Sequence, residues 1–386
     1  METRKIQSVG GGTYTVSLPR EWAASQGLDA GDVVNLHTHI DGVVVIQTEA
    51  ETDELPAAVT IGVENDEAGP LEQIIRAAYA AGVTEVTLQS EDGFTAEQRR
   101  VVERTVQNLT GISIFEESEA SIRLVTPLDP GEISVHQSVR QLRFVALSMH
   151  RDATAALTGA ASPESLAGRD EQADRLYALI ERSLGRGLSR LDEVDALGVT
   201  RSELFELWLT TRELERVADH AEGLTTVAAT TDAPMTDTVR ERTATLAERA
   251  REVVADAVGV VVGDLDVGVA QRVLSDRDAV LTDLDALEAG SESAVTIDPG
   301  YRLAYDRLRR TAEHGGNIAE LALRRAIRRG ELGVDGPVDD DVVTTGERTA
   351  RETDSSDAST SVDDDIATSS DSPTPSTPVD GDDETQ

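Results

Sequence analysis

A helical phrase occurs twice in this chain, 94 residues apart: RELERVADHAEGLTTVA over 212–228 and DRLRRTAEHGGNIAELA over 306–322. Leucine, arginine, alanine, histidine and a closing alanine coincide at 214/308, 216/310, 218/312, 220/314 and 228/322, and Asp219 answers Glu313. The chain has six histidines in 386 residues, so two at equivalent places mark one helical unit copied in tandem. Apolar periodicity places helices near 133–157, 163–187, 200–230, 236–262, 268–288 and 299–329. These form two sets of three with the phrase in the third helix of each, the pattern of an up-down-up bundle repeated in tandem.

Composition excludes several chemistries. There is no cysteine, which rules out disulfides, zinc-thiolate sites and thiol catalysis. No run of about 18 apolar residues is present, and METRKIQSVGGG lacks the apolar core of a signal peptide, so the expectation is a soluble, cytoplasmic protein that is not membrane-inserted. The formal charge is −38, and Lys5 is the single lysine. Such a surface suits a cytoplasm at molar salt, where the Debye length shrinks to roughly 3 Å, and the expected source is an extreme halophile of archaeal type. The same acid excess makes carboxylate motifs easy to find by accident.

The sequence predicts a multi-domain chain in four pieces. Residues 1–50 read as short strands and one short helix: KIQSV and TYTVSLP flank a glycine turn at 10–12, Pro19 falls at the first helical position, and Gly27 ends REWAASQG. DVVNLHTHI and VVVIQT flank Asp41-Gly42, a two-residue hairpin signal. Residues 53–130 read as β-α-β-α-β-β, a small α/β sandwich with Thr95 as a helix N-cap. It carries no glycine-rich phosphate loop, so it reads as a spacer or dimer module. Residues 131–330 are the all-α tandem three-helix bundles. Residues 331–386 hold 17 acids against two arginines amid Ser, Thr and Pro, a composition expected to stay disordered.

TYTVSLPREWAASQGLDAGDVVNL resembles the AbrB/MazE-type swapped-hairpin DNA-binding domain over about 45 residues. In that family two chains build one barrel, so the resemblance implies an obligate homodimer through 1–50. A strand set this small also buries too little core alone. Arg4, Lys5, Thr13, Tyr14 and Arg20 cluster around the glycine turn and helix start and are the candidate DNA contacts. The segment is nevertheless net acidic, with those three basic residues against six acids. In molar salt counterion release contributes little, and recognition must lean on hydrogen bonds and shape. Survival of the hairpin as a dimerisation device only is the other reading.

Glu215 and Asp219 are four apart on one helix face, and GRDEQADRL presents Asp170 and Asp174 at the same spacing. If those helices pack antiparallel, the four carboxylates face each other and form a hard-ligand site for a divalent or trivalent metal ion. Spacing alone equally describes a solvated acidic face, with Arg212 and Arg216 as local partners. ELERVADHAEGL and RRTAEHGGNIAELAL resemble the third-helix signature of PhoU-type phosphate-uptake regulators, and DEQADRL the acid-x-x-x-acid of their second helix. That resemblance spans about 200 residues. It implies metal ions on the acid motifs, with ligands carried over to Asp170, Asp174, Glu215 and Asp219, and a role in shutting down phosphate uptake and the phosphate-starvation response.

The second copy departs from this pattern. Arg309 replaces the first acid, and Thr282 stands four after Asp278. One metal-competent bundle and one structural bundle are therefore expected, with Arg309 as an ion-pair partner for Glu313. His220 and His314 read as satisfied structural histidines, and Gly315 and Gly316 as sites of close helix approach. No positioned nucleophile or oxyanion donor is evident, so the reading is non-catalytic. The expected function is a regulator of phosphate uptake that binds promoter DNA. The alternative is an adaptor that restrains a phosphate ABC transporter ATPase or a sensor kinase without touching DNA.

Overall fold

The computed structural model describes residues 3–10, 12–48, 58–64, 69–162, 168–231, 235–289 and 299–332. The expected acidic tail, 331–386, lies outside the described residues except for Glu331 and Leu332, and Gly11 of the glycine turn and 163–167 lie outside them too.

The N-terminal piece has strands β1 (Gln7–Val9) and β2 (Thr13–Thr15), helix α1 (Arg20–Ser25), and strands β3 (Val34–Thr38) and β4 (Val44–Thr48). β1 pairs antiparallel with β2, and β3 with β4. Pro19 takes the N-cap, one position earlier than expected, because its φ of −61° comes with an extended ψ of 127°. Gly27, at φ 66°, ends the helix, and Leu28 N–H donates back to the Ala23 carbonyl at 2.8 Å. Gly42, at φ 82°, turns the β3–β4 hairpin. These elements form no core. Among the described residues of 3–47 only His39 is buried.

The next piece runs β5 (Ala58–Gly62), α2 (Gly69–Ala80), β6 (Glu85–Gln89), α3 (Ala96–Gln107), β7 (Ser113–Glu117) and β8 (Ser121–Val125), in the sheet order β5-β6-β8-β7. β5 and β6 are parallel across α2, and the remaining pairs are antiparallel. Alternation along β6 and β8 turns Val86, Leu88, Ile122 and Leu124 inward onto Leu71, Ile75, Tyr79 and Val102. Thr95 and Gln98 form a reciprocal capping box at the start of α3.

Then come α4 (Val135–Leu157), α5 (Asp170–Ser189), α6 (Leu191–Ala196), α7 (Arg201–Thr230), α8 (Asp237–Val261), α9 (Gly268–Glu288) and α10 (Arg302–Arg328). Ser134, Thr200 and Thr236 each cap a helix by accepting a backbone N–H. α4, α5 and α7 pack as one bundle, and α8, α9 and α10 as the other. α5 starts at Asp170 rather than 163, because Gly168 is left-handed at φ 80° and breaks the helical path. The short α6 has no counterpart among the expected helices.

The repeated phrase explains how the bundles join. α7 and α10 run antiparallel, with Glu203 meeting Arg325 at one end and His220 meeting Arg307 toward the other. The two matched histidines meet each other: His220 Nε2 lies 3.1 Å from His314 Nε2, with the rings stacked at a centroid distance of 5.1 Å. His220 Nδ1 lies 3.3 Å from Arg307, and His314 Nδ1 lies 2.7 Å from Glu213. Glu213 and Arg307 occupy equivalent positions of the repeat, since 307 − 94 = 213. Arginine can only donate, so His220 Nδ1 accepts. His220 Nε2–H then donates to His314 Nε2, and His314 Nδ1–H donates to the Glu213 carboxylate. The chain of donors has one direction, set by the mismatch in the repeat. Asn317 donates a second hydrogen bond to Glu213 at 2.9 Å. Burial pushes the Glu213 carboxyl up, but the His314 and Asn317 hydrogen bonds outweigh it and hold it below the usual range. Burial first, then His314 and Arg307, pull His220 down to about 4, so it is neutral at pH 7.

Gly315 and Gly316 do permit close approach. A Cβ at 315 would lie 2.9 Å from the Val254 nitrogen on α8, and one at 316 would lie 2.5 Å from Arg277 on α9. Arg309 does not pair with Glu313. It reaches Asp285 and Glu288 on α9, at 2.8 Å each, because two carboxylates across the helix pair outcompete one neighbour on its own helix. The second bundle thus fills the place of its lost acid with an interhelical ion pair. Replacing Glu213 with alanine leaves the His314 Nδ1–H unpaired in a buried seam. The expected loss is about 1–3 kcal/mol of stability, read from denaturant unfolding in high potassium chloride; an unchanged midpoint contradicts the assigned chain.

Candidate functional site

α5 and α7 pack against each other and bring Asp170, Asp174, Glu215 and Asp219 into one electrostatic group. Asp170 is the first residue of α5, where the helix dipole favours an acid, and its carboxylate accepts the Glu171 N–H at 2.9 Å. Asp174 follows one turn later. Glu215 and Asp219 stand on the facing side of α7. Burial pushes Glu215 up to about 7, and the negative charges of Asp219 and Asp174 add to it. Asp174 and Asp219 are also raised, chiefly by burial, with Asp170 contributing to both.

Local arginines relieve this only in part and without a direct ion pair. Arg216 pairs with Glu213 at 3.9 Å, and Arg212 lies over the Trp208 ring at 5.8 Å. Among the described residues neither forms an ion pair with Glu215 or Asp219. By charge alone Arg216 still lowers Glu215 and Asp219, and Arg212 lowers Glu215, and two further cations reach the group from other elements. Arg76 of α2 stands 3.7 Å from Asp174, and Arg307 of α10 draws Asp219 down. The sequence reading missed both, and it missed Glu222, which raises Asp174 from one turn beyond Asp219. Glu222 was recoverable as an acid at i+3; Arg76 and Arg307 are distant in sequence and carry no local signal.

Hard oxygen donors that repel one another are the right chemistry for a divalent or trivalent cation. Among the described residues no three Asp, Glu or His side chains already converge as ligands.

The five N-terminal candidates fall on one hairpin and the helix after it. Arg4 and Lys5 precede β1, Thr13 and Tyr14 lie on β2 opposite Val9 and Ser8, and Arg20 opens α1. All five are exposed. Around them Ile6, Val9, Tyr14, Val16, Val33, Leu36 and Val44 are at least half exposed, a density of bare apolar surface unusual for a finished domain.

Fold and site together define a modular chain: a coreless strand domain, a small α/β domain, and a double bundle with an acidic group in its first half. Residues 139–225 match the PhoU domain, and residues 7–52 match the antidote-toxin recognition domain of MazE, a bacterial antitoxin. Along the chain a match to the PhoU domain thus follows a match to a MazE/AbrB-like domain. The PhoU match begins within α4 and ends within α7, so it covers the first bundle and the acidic group. No curated protein matches the chain. Among the described residues no helix is long and apolar enough to cross a membrane.

The raised Glu215 carboxyl gives a pH dependence with a definite sign. Its folded value of about 7 exceeds its usual 4.5, so between those limits the folded state holds a proton that the unfolded state has released. Stability of chelator-treated protein should fall as pH rises from 5 to 7.5, and Glu215→Gln should flatten that slope. Thermal melts across the window test this, and a flat wild-type profile removes the assignment.

Proposed function

We propose that the chain is a homodimeric, non-catalytic, cytoplasmic regulator of phosphate uptake, which contacts promoter DNA through residues 1–50 and binds a divalent or trivalent cation through Asp170, Asp174, Glu215 and Asp219. The observation that carries this reading is the presence, on one chain, of a PhoU domain and a MazE/AbrB-like domain. Exposed Ile6, Val9, Leu36 and Val44 support dimerisation, because a second copy supplies the core the strands lack. Arg4, Lys5, Thr13, Tyr14 and Arg20 offer donors to phosphates and bases, doubled in a dimer. A bound cation would neutralise the mutual repulsion of the four carboxylates. Arg76 competes for the same charge from the α/β domain.

The net acidity of residues 1–50 favours one other reading, an adaptor that restrains a phosphate ABC transporter ATPase or a sensor kinase by protein contact.

Promoter-fragment shifts in high potassium chloride separate the two. Sequence-selective binding by wild type, weakened at least about tenfold by Arg4→Ala with Arg20→Ala, supports the DNA reading; absence of selective binding leaves the adaptor. Metal analysis after dialysis should show loss of the cation in a Glu215→Ala/Asp219→Ala variant, and unchanged content would sink the ligand assignment. Arg76→Ala should tighten cation binding several-fold, by about 1 kcal/mol, since it removes a partly exposed competing charge.

A further inference from the structure

Among the described residues of the N-terminal domain, the one that is buried lies against the helical domain. His39 stands at the β3–β4 turn with its imidazole wholly enclosed, and its Nδ1 lies 3.0 Å from Asp195 Oδ1 on α6. The same Asp195 oxygen accepts the Ile40 backbone N–H at 3.1 Å. Arg201, the first residue of α7, stands 3.9 Å from Asp41 of the same turn. His39 Nε2 is buried with no partner, so the burial of this ring is offset at Nδ1, where Asp195 stands at 3.0 Å and the Asp41 carboxylate of the same turn at 3.6 Å.

α6 is in turn fixed to α5. Arg186 of α5 makes a two-pronged ion pair with Glu193, and Arg190 reaches the same carboxylate at 3.4 Å. Val194 is fully buried, and it lies so near α5 that a Cβ at Gly187 would stand 2.8 Å from its methyl. Arg186 also donates to the Gly82 carbonyl at 2.8 Å, and Arg182 to Tyr79 and Val83, which clamps the end of α2 to the same helix. One helix thus holds the acidic group at its start and the seat of the N-terminal turn just past its end, roughly 30 Å apart for its 20 residues.

We propose that His39 and Asp195 form an interdomain latch through which α6 holds the N-terminal domain in one orientation on the helical domain and passes displacements of α5 to it. The latch rests on the proposed function only for its purpose, the aiming of the DNA-contacting hairpin; its existence rests on the geometry above.

Amide hydrogen exchange on the full-length protein in high potassium chloride tests it. Asp195→Ala should speed exchange at residues 39–43 at least about tenfold, because the Ile40 amide loses its acceptor and His39 its one partner outside the turn. Arg186→Ala touches no N-terminal residue, yet it should speed exchange at 39–43 about threefold or more, while α4 and α7 keep wild-type protection. Glu193→Gln keeps the side chain and should give the same pattern more weakly. Wild-type exchange at 39–43 in both Arg186→Ala and Glu193→Gln overturns the transmission, and wild-type exchange in Asp195→Ala overturns the latch. Promoter shifts with the Asp195→Ala protein read the purpose separately. If the latch aims the hairpin, selective affinity falls at least about threefold with the dimer intact. If wild type itself binds no DNA, the DNA reading fails while the exchange data still decide the latch.

Discussion

The contact between His220 and His314 is the point on which the helical half turns. Two imidazoles in a buried seam are stable only if each ring nitrogen has a partner of the right kind, because an orphaned one costs as much as a lost hydrogen bond. Arg307 and Glu213 supply one donor and one acceptor at the two ends, and the row of hydrogen bonds closes without a spare proton. This places α7 against α10, and with them the two bundles. It also fixes the face of α7 left for α5, the face that carries Glu215 and Asp219. The acidic group is therefore a by-product of the seam as much as of the acids themselves.

Around that seam the protein divides its charge unevenly. In the second bundle, Arg309 settles between Asp285 and Glu288 and leaves an ordinary interhelical ion pair. In the first, the equivalent place holds Glu215, whose carboxyl is pushed up by burial and by its neighbours. One duplication has yielded a relaxed half and a loaded half. The load is eased in part from outside the bundle, by Arg76 of the α/β domain, which gives that domain a part in the electrostatics of the site.

Much of this was legible in the sequence. The period-3.6 stretches, the Thr and Ser caps and the strand alternation located most elements, since those signals are local. The repeat announced a double bundle, and the acid spacing named four carboxylates that α5 and α7 bring within electrostatic reach. What stayed hidden was non-local. Helix α6 is a single short stretch with little periodicity to read. Arg309 was assigned to Glu313 because only the neighbour on its own helix is visible in sequence. Nothing in the chain links His39 to Asp195, 156 residues later, and the meeting of the two histidines needed the antiparallel crossing of α7 and α10, which no periodicity encodes.

The exchanged charges at 213 and 307 also decide which helices can recognise each other. Were α7 to meet a second α7 in the same way, both histidines would donate to a glutamate, and two bare Nε2 lone pairs would face across the gap. Were α10 to meet a second α10, both would accept from an arginine, and two N–H groups would collide. Only the unlike pair satisfies every nitrogen. A duplicated helix is by origin sticky toward its own copies in other molecules, and this single swap makes such mispairing carry an unpaired polar group at its centre.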